Sequence, residues 1–328
     1  MADVEDCVAS ANNPDPAFQT IDKTAIKITK VRRAKVSWQG DEQLGLGALT
    51  TPIMRDQYTQ AMRSLVNEME RDIAQEVVAG ALAKGNFVGT AGTTPFASNL
   101  NDLTLAYKKL SDNGCPTSDL QMVLNTSAGM NLRNLTQLQK VNESGDGSLL
   151  RQGVLGQLFG FNLRESAGFK AHDKGAGTGY LVNGEAKKGS FFVNVDTGSG
   201  AVKKGDIIHF GSDVDHKYIV AEDDSAPTSI KLTSELVADV ADDAVITIEN
   251  GYLASAGFAR GSVLLATRLP AVPIGGDSAI DRAIITDPVS GISFEVAVWG
   301  GSYQNTITFA NAWGVKNIKG EHSVALLG

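Results

Sequence analysis

Between Thr51-Pro52 and Gly85 the chain keeps a single helical pattern, and few architectures accommodate one so long. Tyr58, Met62, Leu65, Met69, Ile73 and Val77 recur at spacings of three and four, which makes one apolar stripe. Thr51 suits the N-cap and Pro52 the first helical position. Gly85 supplies the stop. About 33 residues at 1.5 Å each span roughly 50 Å, against a mean globular helix of about 11–12 residues. A pattern of this length points to a coiled coil, a membrane span or a special architecture. Strict heptads are not sustained, and Arg55, Asp56, Arg63, Glu70 and Arg71 decorate the other faces, so a coiled coil is the weaker choice.

Upstream, residues 1–20 are polar and read as an extended arm that orders only against a partner. Alternation in Ile26–Val31 and Ala34–Trp38 predicts two strands, broken at Arg32 and Arg33, and Leu44-Gly45-Leu46-Gly47 reads as flexible. Downstream, Asn99–Asn113 predicts a helix stopped by Gly114 and Pro116, and Gln121–Leu124 a short buried strand. Ser127 is placed as the cap of a helix to about Leu138. A polar loop over 139–148, a shorter helix over Leu149–Leu158 and a strand over Phe161–Ser166 follow.

From Gly175 to about Tyr252 the texture is β-rich, with turn signals at short spacing. The expected strands are Ser190–Val195, Ile207–Phe210, Lys217–Val220, Ile230–Thr233 and Ala244–Glu249, which suggests a small barrel or sandwich. Mixed texture then returns. Ser262–Thr267 is apolar, Ser293–Trp299 alternates strongly, and strands are expected at Thr306–Phe309, Val315–Ile318 and Val324–Leu327. The simplest partition is an α/β body interrupted by a β module.

Charge narrows the partners. The 328-residue chain has a formal net charge of −8, whereas a dedicated nucleic-acid binder needs a basic footprint. The basic residues that do cluster are Lys23, Lys27, Lys30, Arg32, Arg33 and Lys35. They read as an arm that lies on an acidic neighbouring subunit rather than as a merely solvated strand face. Cys7 and Cys115 share no metal-ligand spacing and fit a reducing compartment. The acidic start Met1–Asp6 lacks the apolar core of a secretory leader, and no apolar window is long enough for a membrane helix.

Catalytic constellations are weak. Gly179 and Gly184 have phosphate-loop spacing, but Glu185 stands where a Lys is needed. Gly175, Gly177 and Gly179 lack the strand and helix of a dinucleotide site. Gly276–Ile280 lacks the final glycine of a nucleophile elbow. His172, His209, His216 and His322 form no ligand pair. Asp213, Asp215 and His216 could meet a cation, but their oxygen shell is incomplete and a turn is expected instead. The acidic run Asp239, Asp242 and Asp243 reads as a solvated turn. No catalytic, cofactor-binding or metal-binding residue is assigned.

The order of parts resembles the major capsid (coat) proteins of tailed bacteriophages, with the HK-type capsid fold, an α+β architecture. Among them it is most similar to coat proteins of short-tailed Salmonella-type phages, which carry an inserted small β-barrel domain. The resemblance is carried by the helix from Arg55-Asp56-Gln57 to Arg71-Asp72-Ile73-Ala74 and by Gln152–Phe161. It is carried too by the turn-strand Val202–Phe210 and the closing Ala297-Val298-Trp299-Gly300. It implies an N-terminal arm at 1–20, an extended β-loop at 21–51 that overlaps a neighbour, and a spine helix of the peripheral domain at 52–85. It further implies an axial domain at 86–170 and 257–292, an inserted β-barrel at 171–256, and closing peripheral strands at 293–328 that pair with the extended loop.

The implied function is structural. The chain would self-assemble into hexamers and pentamers of an icosahedral shell around phage DNA, located in the virion and assembled in the host bacterial cytoplasm. Implied partners are further copies of itself, a separate scaffolding protein, a portal protein and a decoration protein, with weak non-specific contact to packaged DNA and no membrane. No long helical segment precedes the spine, which is why scaffolding is expected as a separate protein. Candidate intersubunit contacts are Lys27, Lys30, Arg32, Arg33, Lys35 and Trp38, and candidate hinges are Gly45, Gly47, Gly300 and Gly301. Some family members crosslink a Lys to an Asn; Lys35 could take that place, with no partner Asn identifiable. Two alternatives remain. One is another assembly subunit, of an encapsulin-type compartment or a phage tail. The other is a hydrolase with a carbohydrate-binding module at 171–256, which would need exposed aromatics among Tyr180, Phe191, Phe192, Phe210, Tyr218 and Tyr252.

Overall fold

The computed structural model describes residues 24–140 and 155–328. The expected arm at 1–20, Cys7, Lys23, Gly153 and most of the expected helix Leu149–Leu158 lie outside the described residues.

Strand β1 (Lys30–Gln39) is continuous through Arg32 and Arg33, so the two expected strands are one. The reason is its partner: all ten residues pair antiparallel with a distant C-terminal strand, and that ladder overrides the local break in alternation. Residues expected to be flexible form the short helix α1 (Gly40–Leu46), closed at its start by a reciprocal Gln39–Glu42 capping box. A 3₁₀ turn at Gly47–Leu49 leads into helix α2 (Thr50–Ala83), 34 residues long. Because the chain is already helical there, Thr51 is no cap, and Thr50 Oγ1 instead bonds back to the Gly47 and Gln43 carbonyls.

After α2 come β2 (Phe87–Gly89), α3 (Asn101–Asp112) and β3 (Leu120–Leu124). The next helix is α4 (Thr126–Asn134), followed by the short α5 (Thr136–Gln139). Its cap is Asn125 rather than Ser127: the Asn125 side chain accepts from the Ala128 N–H at 2.8 Å. Strands β4 (Gln157–Leu158) and β5 (Phe161–Glu165) then form a hairpin, so the end of the expected 149–158 helix is extended.

The β-rich stretch opens with β6 (Ala171–His172) and holds β7 (Leu181–Val182), β8 (Phe192–Asp196), β9 (Ile207–Phe210), β10 (Asp213–Ile219), β11 (Ser229–Lys231) and β12 (Ile246–Ile248). It closes with β13 (Tyr252–Leu253), which pairs with β6, so the module's entry and exit lie side by side. Two three-stranded sheets, β10-β9-β12 and β11-β8-β7, are joined by single bridges such as Val220–Leu232 and Leu181–Val245. They enclose a core of Val182, Val193, Ile208, Phe210, Tyr218, Ile230 and Val240.

The remaining strands are β14 (Ser255–Ala259), β15 (Val263–Arg268), β16 (Ala279–Thr286), β17 (Ser293–Gly301), β18 (Gln304–Asn317) and β19 (Ser323–Leu327). One sheet runs β1-β18-β17-β16, with β15 also pairing β18; the other runs β2-β19-β14-β3-β5-β4. This redraws two expected boundaries. Strands β15 and β16, read within an axial segment 257–292, hydrogen-bond into the same sheet as β17 and β18. Strand β19, read with the closing peripheral strands, lies instead between β14 and β2. Alternation within a strand specifies which side is buried, not which strand lies alongside, so sequence pattern alone cannot make these assignments.

Helix α2 joins the bodies. At its middle, Leu65 and Met69 pack with Phe294, Phe309 and Trp313 of the first sheet. Toward its end, Ala81 and Leu82 pack with Ile207, Ile219 and Tyr252 of the β module and with Ala325 and Leu327 of the second sheet. The third core, under α3 and α4, is built on Leu103, Leu110, Met122, Leu132 and Phe161. Gly80 sits within α2 because the Asn317 side chain occupies the space a Cβ would need there. Helix propensity alone predicts that Gly80→Ala gains about 1 kcal/mol. The packing predicts the reverse, a loss of about 1–3 kcal/mol from overfilling, read by denaturant unfolding; a gain would disprove the close approach.

Candidate functional site

Helix α2 carries an acidic row on the side that meets the first sheet. Asp72 bridges two strands: its Oδ1 accepts from Lys30 Nζ at 2.7 Å and its Oδ2 from Trp313 Nε1 at 2.8 Å. Glu68 accepts from Lys30 Nζ at 3.3 Å and from Arg32 Nε at 3.1 Å. One turn beyond Asp72, Glu76 accepts the Asn317 backbone N–H at 3.2 Å. The hydrogen bond to Asp72 raises the Lys30 pKa, against partial burial that would lower it. The i, i+4, i+8 spacing of Glu68, Asp72 and Glu76 was the sequence signal for this row.

The basic strand therefore divides by face. Lys30 and Arg32 turn inward and are held by the chain's own helix. Trp38, on the same side of the pleat, is buried, and its Nε1 has no hydrogen-bond partner. Arg33 and Lys35 lie on the opposite face, exposed and without an ion-pair partner among the described residues, and Lys27 is exposed before the strand begins. Of the six expected contact residues, Lys27, Arg33 and Lys35 are the ones available to another molecule.

The expected hinges take other places. Gly45 lies inside α1 and Gly47 at its end with φ +53°. Gly300 and Gly301 are the last residues of β17, and the left-handed residue of the turn into β18 is Tyr303, fully exposed at φ 57°.

Sequence reasoning passed over the far edge of this sheet. Strand β16 pairs only with β17 among the described residues, and it exposes Ile280, Ile284 and Ile285. The flanking segments expose Val272, Ile274 and Val289 as well. Arg282 is fixed between Asp277 and Glu295, and its guanidinium stands 5.8 Å from the Trp299 ring. The Asp277 contact lowers that carboxyl's pKa. Hidden among these polar residues, the three isoleucines had no period of their own to announce a strand.

At the neck of the β module, Asp206 is fully enclosed. It accepts from His172 Nε2 at 2.8 Å, from the Lys203 N–H at 2.8 Å and from the Gly175 N–H at 3.1 Å. Burial would raise its pKa, but these three donors outweigh it and the net shift is downward. The His172 ring lies 4.9 Å from Tyr252, whose hydroxyl donates to the Gly205 carbonyl at 3.0 Å. Burial, with the Asp206 charge second, pushes that phenol up to about 12.

Of the glycines that resembled nucleotide loops, Gly179 and Gly184 take left-handed backbone, at φ +71° and +77°, and Gly175 and Gly177 serve packing. Gly175 meets the Ala201 carbonyl and Gly177 the Val202 side chain. Tyr180, Phe210, Tyr218 and Tyr252 are buried, leaving Phe191 and Phe192 as the module's exposed aromatics. Asp213 is spent on His216 and the Tyr218 hydroxyl, at 2.7 and 2.9 Å; the Asp215 side chain lies outside the described set. No group of three His, Cys, Asp or Glu among the described residues could hold a metal ion. No described helix is long and apolar enough to cross a membrane.

No family model matches the sequence, and no curated protein does. Similar solved structures exist. One, from Mycobacterium phage Che8, is 13% identical, with 92% of this chain and 71% of that one covered and a TM-score of 0.47. The asymmetric unit of the bacteriophage PhiM1 mature capsid is 12% identical, over 97% and 78% of the two chains, with a TM-score of 0.43. The capsid structure of Cyanophage P-SCSP1u is 12% identical, over 97% and 80%, with a TM-score of 0.44.

The Asp206 latch sets a pH dependence. A carboxyl with a lowered native pKa stabilises above its unfolded value of about 4, and that contribution fades as the pH falls through the native pKa. Asp206→Asn should cost about 1–3 kcal/mol at pH 7, by leaving buried donors poorly matched. It should also flatten the acid side of the stability profile below about pH 4, measured by thermal unfolding across pH. An unchanged profile would show that the latch contributes nothing.

Proposed function

We propose that this chain is the major structural subunit of an icosahedral phage shell with the HK-type capsid fold, and that it is not an enzyme. One observation carries the reading: among the described residues, β1 and β16 of the sheet fastened to a 34-residue helix are each paired on one side alone. Monomeric proteins avoid long open edges, because unpaired backbone groups template association with another chain. A protein whose work is association needs them.

The parts take roles on this reading. Helix α2 and the first sheet form the peripheral body, and the second sheet with α3 and α4 forms the axial body. The β module between β6 and β13 is the insertion, with its own core, facing outward to contact neighbours or aid folding. Further copies in rings of five and six are the principal partners. A separate scaffolding protein, a portal and a decoration protein are the others. The net charge of −8 suits a wall that must not grip packaged DNA.

Expression with and without a co-expressed scaffolding candidate, followed by sedimentation and negative-stain electron microscopy, tests the proposal. Closed shells tens of nanometres across, or polymorphic shells and spirals, are expected. A clean monomer or small oligomer under both conditions and across salt would overturn it, and open tubes would favour the tail-subunit reading. Replacing residues 175–250 by a short linker should leave the remaining cores folded and impair assembly; normal shells from that deletion would remove the insertion from assembly.

A further inference from the structure

The two open edges of the first sheet differ in chemistry. From Lys27 to Gln39 the β1 edge carries Lys27, Lys30, Arg32, Arg33 and Lys35 and no acid. From Asp277 to Asp287 the β16 edge carries Asp277, Asp281 and Asp287 against the single base Arg282, with Ile280 and Ile284 exposed between them. Each strand has one hydrogen-bonded neighbour among the described residues, β18 for β1 and β17 for β16.

We propose that the β1 edge of one copy pairs with the β16 edge of the next, so that the sheet continues from subunit to subunit. Direction permits it. Strands β1, β18, β17 and β16 alternate antiparallel, so a second copy set beside β16 in the same orientation presents its β1 antiparallel. Length permits it too, since β1 has ten residues and β16 eight. Pairing like edges is disfavoured. Two β1 edges would oppose Arg33 and Lys35 to each other, and two β16 edges would bring their acidic flanks together. Pairing unlike edges sets free Arg33 and Lys35 on the face that carries the cluster of Asp277, Arg282 and Glu295, two carboxylates to one guanidinium, and covers Ile284. Such a contact is heterologous, so repeating it generates a ring or an open spiral rather than a closed dimer. Only closure at five or six copies rests on the shell reading; the edge pairing does not.

Residues Val31, Arg33, Lys35 and Ser37 share one face of β1, and Ile284 lies on the corresponding face of β16. Within one copy the two strands are separated by β18 and β17, about 14 Å at the usual strand spacing. A disulfide needs Cα atoms within about 7 Å, so a cysteine on each strand can join only different copies. The test combines Ile284→Cys in turn with Val31→Cys, Arg33→Cys, Lys35→Cys or Ser37→Cys, all in a Cys7→Ser background. Each is oxidised as assembled particles and as purified soluble protein, and run on a non-reducing denaturing gel. At least one pair should give a ladder of covalent oligomers ending at five or six copies, with each single variant staying monomeric. No ladder from any of the four pairs, in either preparation, overturns the edge pairing. Dimers from the single variants would replace it with like-edge contacts. Absence of particles would count against the shell reading alone, since the soluble preparation still decides the pairing.

Discussion

Helix α2 buries two different surfaces in succession: Leu65 and Met69 against Phe309 and Trp313, then Ala81 and Leu82 against Ile219, Tyr252 and Leu327. The helix is one continuous hydrogen-bonded rod, so these contacts fix the first sheet, the β module and the second sheet relative to a common axis. Each fully buried Leu or Met contributes about 1.5–3 kcal/mol by leaving water, which is far more than a short surface helix supplies. The acidic row adds direction to this apolar grip. Asp72 can satisfy Lys30 and Trp313 together only if β1 and β18 lie in register over that turn of the helix, so the carboxylate selects one placement of the sheet.

Most of the elements were legible in the sequence, and the partners of several strands were not. The periodicity of α2 and α3, the alternation of β17 and the burial of β19 all arise from neighbours close in the chain, which is what pattern reading detects. The misses share a cause. Strand β18 runs unbroken from Gln304 to Asn317 although Asn311 and Gly314 interrupt its alternation. Both are placed by distant contacts: Asn311 donates to the Ser293 carbonyl, and Gly314 admits the Lys27 backbone. Strand β1 holds through Arg32 because Glu68 waits on α2 for it. In each case a contact far away in sequence overrides a local signal.

The candidate surface was legible by half. The basic run was visible as composition, but its division into a committed inner face and an available outer face needs the pleat and the position of α2. Trp38, one of the expected contacts, is buried, because it falls on the inner side with Ala34 and Val36. The opposite edge escaped notice, since Ile280, Ile284 and Ile285 sit among Asp281, Arg282 and Thr286 with no clean period of two. An edge exposed on both faces has no buried side to impose one.

The position of the β module explains how such a chain can carry one. Its entry and exit strands pair with each other, and its contacts with the body fall on the last turns of α2 and on Ala325 and Leu327 of the second sheet. The two open edges belong to the sheet that packs on the earlier turns, around Leu65 and Met69. Its interior is a separate core, built from residues between Tyr180 and Ile248. A change inside the module therefore reaches β1 or β16 through α2 and the second sheet, which Ala81, Leu82, Ala325 and Leu327 clamp together. That separation lets the module change its surface while β1 and β16 keep their geometry.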